Sequence, residues 1–122
     1  MNSQDLTAAL RAHQEGRHAE AEAGYRRVLK ADAQHADALY LLGVLLHQRG
    51  RPAEARGFLQ RAIATGTPRP DALNSLGDVH RVLGDFAAAR DCFEQALRLR
   101  PGYAEAQQNL ALTLHAEGRT NE

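Results

Sequence analysis

One cysteine, no tryptophan, four prolines and a single lysine (Lys30) leave several protein classes without their raw material. A lone Cys92 excludes an intrachain disulfide framework, and no second ligand at metal-site spacing accompanies it. Aromatic residues make up only 5% of the chain, so a core has to be assembled from Ala, Leu and Val. Side chains of that size interdigitate well between closely spaced helices. Fifteen basic and fifteen acidic residues cancel, which removes the global field that steers a protein to nucleic acid or to a membrane surface. The balance is also local: residues 1–35 carry five of each sign, 36–69 a mild basic excess, and the remainder a mild acidic one. The longest apolar run, Ala38 to Leu46, is interrupted only by Gly43 and is far short of a bilayer span. No basic segment followed by an apolar stretch opens the chain, so a secretory leader is not expected and the expected location is cytoplasmic.

Motifs for chemistry are missing too. There is no HExxH, no P-loop and no glycine-rich phosphate loop after a strand. His115 and Glu117 form an H-x-E, but the P-C-x-x-C of the zinc deaminases is absent. Cys92 beside Phe93 reads as a buried, inert thiol. The expectation is a protein that is not an enzyme and has no catalytic residues, no cofactor and no metal.

What is present is a period. Gly16, Gly50, Gly84 and Gly118 are 34 residues apart, as are Gly43, Gly77 and Ala111, and Ala21, Ala55 and Ala89. A fixed interval of this length is the signature of stacked helix–turn–helix repeats. It divides a single domain, 1–122, into repeats 2–35, 36–69 and 70–103, followed by a capping helix over 104–117 and a short tail, 118–122. Each repeat offers two amphipathic helices, A and B: A at 3–15, 36–49, 70–83 and 104–117, and B at 18–31, 52–65 and 86–99. The glycine after each A helix can adopt the left-handed backbone that ends it. Pro52 and Pro70 suit a first helical turn, Asp85 suits an N-cap, and Gly66, Pro68 and Pro101 stop the B helices.

Helical spacing groups Leu73, Leu76, Gly77 and His80 on one face of the third A helix, and Ala89, Phe93, Ala96 and Leu97 on its B helix. The second repeat follows with Leu39, Leu42, Gly43, Leu46, Ala55, Leu59, Ala62 and Ile63, and the first more weakly with Ala8, Ala9, Ala12, Tyr25, Val28 and Leu29. Gly77 and Ala89 are expected where the A and B helices of the third repeat cross closely, a design the second repeat shares through Gly43 and Ala55.

Taken in register, Leu73, Leu76, Gly77, Ala89, Phe93, Ala96 and Pro101 resemble the tetratricopeptide repeat family, with Leu59 and Thr67 replacing the aromatic and the proline in the second repeat. In the first, Ala8 and Ala9 stand for Leu and Gly, Val28 for the second Ala and Ala33 for the proline. The segments HADALYLLG and PGYAEAQQNLA are also similar to repeat arrays that precede bacterial O-GlcNAc-transferase-like domains. The resemblance implies an all-α, right-handed α-solenoid of antiparallel helix pairs, three repeats plus the capping helix. It further implies that the A helices line a concave groove that holds a partner's peptide or helix.

On that implication the groove starts with Leu6, Leu10 and His13, continues with Asp37, Tyr40, Leu41, Val44, His47 and Gln48, then Asp71, Asn74, Ser75, Asp78 and Arg81, and ends with Gln108, Asn109, Leu112 and His115. The expected partner contacts are Tyr40, Val44, His47, Asn74, Asp78, Arg81 and Asn109. Asp37, Asp71 and Glu105 are also explained by the favourable helix dipole at an A-helix N-terminus, about 0.3–1 kcal/mol each, and Tyr40, Leu41 and Val44 are equally explained as cover for a neighbouring helix. The family's grip on a terminal carboxylate has no counterpart, since Leu6 and Leu10, or Tyr40 and Val44, occupy its first two positions. The asparagine ladder of sugar-transferase arrays reduces here to Thr7, Leu41, Ser75 and Asn109. His13, His47 and His115 occupy equivalent positions, but A helices separated by a B helix stand roughly 10 Å or more apart, too far to share a metal. Leu110, Ala111 and Leu114 continue an inner pattern with no B helix to cover it. Leu110 and Leu114 are therefore candidates for self-association, with a homodimer through the C-terminal helix as the corresponding expectation. The leading function is a protein-interaction scaffold binding a protein or peptide, with no nucleic acid and no membrane. The alternatives are the repeat portion of a longer enzyme, such as a glycosyltransferase-like protein, and a self-assembly module.

Overall fold

The computed structural model describes residues 2–66 and 68–121. Among these described residues there are seven helices: α1 Asn2–Gln14, α2 His18–Ala31, α3 Ala36–Gln48, α4 Pro52–Ala64, α5 Pro70–Val82, α6 Phe86–Leu99 and α7 Ala104–Asn121. No strand occurs among the described residues. Every helix expected from the period is present, and only the end of α7 departs by more than one residue. Thr67 and Glu122 lie outside the described residues. The chain forms two compact units, Met1–Gly66 with α1 to α4 and Thr67–Glu122 with α5 to α7.

Backbone chemistry sets the boundaries. Gly16, Gly50 and Gly84 have φ of 79°, 75° and 85°, the left-handed region that closes an A helix. After each glycine the next N–H reaches back five residues, Arg17 to the Ala12 carbonyl at 2.8 Å, Arg51 to Leu46 at 2.9 Å and Asp85 to His80 at 2.9 Å. Pro52 and Pro70 begin α4 and α5, where a missing N–H removes no helical bond. The Asp85 carboxylate accepts from the Ala88 N–H at 3.2 Å, the cap expected of it. His35 does the same for α3 through Nδ1, accepting from Ala38 at 3.2 Å, an imidazole in a role usually held by an oxygen. Gly118 breaks the series. It lies inside α7, which runs past the expected end at 117 to Asn121, so the expected tail is largely helix. Glycine permits the left-handed turn without imposing it, and no tight turn to a B helix follows here.

In the first unit, α1 packs on α2 and α3 on α4, with α2 also against α3. Leu39, Leu42, Leu46, Ala55 and Leu59 are fully buried. A Cβ on Gly43 would stand 2.6 Å from Leu59 Cγ, so the missing side chain is what lets α3 and α4 approach. The α1–α2 pair solves the same problem in reverse. Ala9 takes the place of Gly43, and Gly24 on α2 supplies the gap, since a Cβ there would lie 2.6 Å from Ala9 Cβ. Ala8, expected in the core, is exposed, because it lies on the α1 face that no helix of this unit covers. Ala38 and Leu45 form a further buried set on α3.

Ion pairs tie the outer layer. The Glu22 carboxylate is paired with Arg51 at 2.8 Å, Arg26 at 3.0 Å and Arg49 at 3.5 Å. Burial pushes the Glu22 carboxyl up, but hydrogen bonds from Arg51 and Arg26 outweigh it and hold the group below the usual carboxylate range. The guanidinium groups of Arg26 and Arg61 both lie over the Phe58 ring of α4, 5.4 and 5.5 Å from its centroid.

In the second unit α5 and α6 form the pair, with Gly77 opposite Phe93. A Cβ on Gly77 would stand 2.5 Å from the ring. α7 lies against α6 and α5, with Ala106 and Thr113 buried and an ion pair between Arg90 and Glu117. His80 is buried on α5.

Opposite signs follow for two glycines. Gly77→Ala is expected to destabilise the protein by about 1–3 kcal/mol, because the ring of Phe93 has to move. Gly57→Ala, on α4 with nothing within 4 Å of the added carbon, is expected to stabilise by about 0.5–1 kcal/mol through helix propensity. Urea denaturation of both checks the pair. The Glu22 network gives a pH test. A carboxyl whose folded pKa is depressed contributes stability that is complete above its unfolded value and lost as pH falls through the folded one. Wild type is thus expected to lose stability relative to Glu22→Gln below about pH 4.5, with the two curves parallel above it, as thermal melts across pH would record.

Candidate functional site

In each unit the A helices lie side by side, α1 with α3 and α5 with α7. The stripe that each A helix turns away from its B helix makes up the candidate surface, and the two units present different chemistry on it.

In the first unit α3 buries Ala38, Leu39, Leu42, Leu45 and Leu46 and leaves Tyr40, Leu41, Val44 and His47 half-buried along one side. From α1, Leu6, Leu10 and His13 are half-buried as well. His13 bridges the helices: Nε2 lies 2.7 Å from Gln48 Oε1 and Nδ1 lies 2.9 Å from the Tyr25 hydroxyl. An amide oxygen only accepts, so Nε2–H donates to Gln48, and in the corresponding tautomer Nδ1 accepts a hydrogen bond from the Tyr25 hydroxyl. Tyr25 itself is fully buried, which pushes its hydroxyl up to about 12. The imidazole is thus a strut between α1, α2 and α3.

In the second unit the equivalent stripe is polar. Asn74 is only 7% exposed. Its Oδ1 accepts from Asn109 Nδ2 at 3.0 Å and its Nδ2 donates to Glu105 Oε2 at 3.2 Å, which joins α5 to α7. Arg81 donates to Asp78 Oδ1 one helical turn away, through Nε at 3.1 Å. Arg69 pairs with Asp71 at 3.2 Å. The acids of this face are matched by cations or amides on the same face.

Of the expected contact residues, Tyr40, Val44 and His47 stand together on α3, while Asn74, Asp78, Arg81 and Asn109 stand on α5 and α7. Six of the seven are half-buried, and Asn74 is buried in a network that includes Glu105, whose place in the first turn of α7 also suits the helix dipole. The end of α7 leaves Leu112 and Leu114 each 48% exposed, with Ala111 exposed and Leu110 half-buried. Among the described residues, no three His, Cys, Asp or Glu side chains gather closely enough to hold a metal ion. Cys92 is buried, and its surroundings, with Asp91 and Asp85 nearby, push the thiol up to about 11, so it is protonated at neutral pH. No helix among the described residues is long and apolar enough to cross a membrane.

The sequence matches the tetratricopeptide repeat family over residues 6–72 and again over 70–103. No curated protein matches it. Among solved structures it is similar to MamA, with 26% identity and a TM-score of 0.90 over 96% of this chain and 64% of that one. It is also similar to a mutant O-GlcNAc transferase of Thermobaculum terrenum, with 30% identity and a TM-score of 0.86 over 93% of this chain and 22% of that one. The first tetratricopeptide domain of Spaghetti (RPAP3), solved with the HSP90 peptide SRMEEVD, shares the fold at a TM-score of 0.92 and 19% identity, over 96% of this chain and 93% of that one. The chain thus spans less than two thirds of MamA and about a fifth of the transferase.

The amide network carries its own test. Asn74→Ala and Asn109→Ala are each expected to cost about 1 kcal/mol, and the double variant less than their sum by about 0.5 kcal/mol or more, because they share one hydrogen bond. A double-mutant cycle by chemical denaturation measures this coupling.

Proposed function

Because the chain belongs to the tetratricopeptide repeat family, we propose that it is a protein-interaction scaffold that holds a peptide or helix of a partner protein against the outward faces of its A helices. The observation that supports this reading most is the half-buried state of Tyr40, Val44, His47, Asp78, Arg81 and Asn109. Side chains already held in place by neighbours lose little freedom when a partner arrives. Asn74 supports this set from within the second unit by accepting a hydrogen bond from Asn109. The fold is one that in Spaghetti (RPAP3) is bound to a short peptide. The scaffold is proposed to work in the cytoplasm, without nucleic acid, membrane or cofactor.

The likeness to the Thermobaculum terrenum enzyme favours a second reading, in which the chain is the repeat portion of a larger glycosyltransferase-like protein. The full reading frame decides it, since a stop codon after Glu122 removes that reading.

For the first reading, a partner isolated by pull-down and mass spectrometry is expected to bind Tyr40→Ala/Arg81→Glu at least tenfold more weakly, a loss of about 1.4 kcal/mol or more. Unchanged affinity in a titration would reject the A-helix faces as the docking surface. Self-association is proposed through Leu110 and Leu114 on α7, where apolar side chains stay exposed. Light scattering at high micromolar concentration is expected to give a dimer mass for the wild type and a monomer mass for Leu114→Asp, and a monomeric wild type would sink this idea.

A further inference from the structure

The two units disagree about what belongs on an A-helix face, and the disagreement is informative because the repeat supplies its own control. Tyr40, Leu41 and Val44 on α3 are equivalent, 34 residues on, to Asn74, Ser75 and Asp78 on α5. Helix packing therefore does not demand apolar side chains at these positions, since α5 fills them with polar ones and still buries Leu73, Leu76 and Val79. On α3 the result is a helix apolar around nearly its whole circumference, the pattern of a helix that is covered on every side. Yet Tyr40, Leu41 and Val44 are only half-buried, and Leu6 and Leu10 on neighbouring α1 share that state.

Charge narrows the choice of cover. Neither Lys nor Arg occurs among Leu6, Leu10, His13, Tyr40, Leu41, Val44, His47 and Gln48, and Asp37 stands at the N-terminal end of the same stripe. Six of the nine cations of this unit are engaged elsewhere: Arg26, Arg49 and Arg51 on Glu22, Arg17 on Glu15 and Glu20, Arg61 on the Ala33 carbonyl at 3.1 Å, and Arg27 on Asp5 at 3.9 Å. His13 and Gln48 satisfy each other. An acidic segment laid here meets the Asp37 carboxylate and finds no Lys or Arg within the stripe, whereas an uncharged aliphatic one can bury its side chains against Leu6, Leu10, Leu41 and Val44 without facing a like charge.

Resting on the A-helix faces as the docking surface, we infer that the face of α1 and α3 takes an uncharged, aliphatic segment of the partner protein, held by burial of Leu, Ile or Val side chains against Leu6, Leu10, Tyr40, Leu41 and Val44. The polar face of the second unit plays no part in this selection.

The probe is a random peptide library with free C-termini, displayed and selected on the purified chain, followed by titration of the recovered peptides. The expected outcome is a consensus with two or more aliphatic positions and no acidic tail. Affinity is expected to change less than about twofold between about 0.1 and 1 M NaCl, where ion-paired binding would weaken strongly. Val44→Asp is expected to weaken these peptides about tenfold or more with helical content unchanged by circular dichroism. If that variant unfolds, the salt series on the wild type still decides. Peptides rich in Asp or Glu, or affinity that collapses with salt, would overturn the aliphatic assignment and leave the docking surface standing. Recovered peptides indifferent to both Tyr40→Ala and Val44→Asp, or no recovered peptide at all, would overturn the docking surface and this inference with it.

Discussion

The structure depends on a missing carbon. Where an A helix crosses its B helix, the space a Cβ would fill is already occupied, by Leu59 opposite Gly43 and by Phe93 opposite Gly77. That close approach lets one buried side chain from each B helix seat against its A helix, so each pair closes with few aromatic residues. It also fixes the rotation of the A helix. With Leu39, Leu42 and Leu46 committed to the B helix, Tyr40, Val44 and His47 have to face elsewhere. The candidate surface is therefore a consequence of the crossing. The first pair shows that the constraint belongs to the crossing and not to one residue position, since Ala9 on α1 is matched by Gly24 on α2. On α7, Ala111 holds the same register and stays exposed.

Much of this was legible because the backbone itself repeats. A glycine every 34 residues marked the A-helix ends, and Pro52, Pro70 and Asp85 marked the starts, each for a reason local to a few atoms. Features that depend on a neighbour in space were not legible in the same way. Gly118 holds the register of Gly84, yet of the two only Gly84 takes the left-handed turn. Ala8 has the register of a core residue but no helix over it, and Ala38, Leu45, Ala72 and Val79 are buried beyond the set that one helix pair explains. The His35 cap escaped because imidazole is a rare acceptor at that position.

The candidate site divides along the same line. Periodicity says which stripe of a helix Asn74 or His13 belongs to, since that follows from 3.6 residues per turn. It does not say that Asn74 is held between Asn109 and Glu105, or that His13 spans Gln48 and Tyr25. Those bonds are set by rotamers and by the spacing of neighbouring helices. They change what the residues are: Asn74 is a support within the fold, and His13 a strut, while Tyr40, Leu41 and Val44 remain the half-buried apolar surface.

The central claim, that a partner segment docks on the outward stripes of the A helices, is tested most directly by amide and methyl chemical-shift mapping during titration with a selected peptide. Shifts concentrated at Leu6, Leu10, Tyr40, Leu41 and Val44, with exposed B-helix positions such as Arg27, Gln60 and Arg98 unmoved, are the predicted result. Shifts confined to α2, α4 and α6, with the A-helix stripes silent, would contradict it.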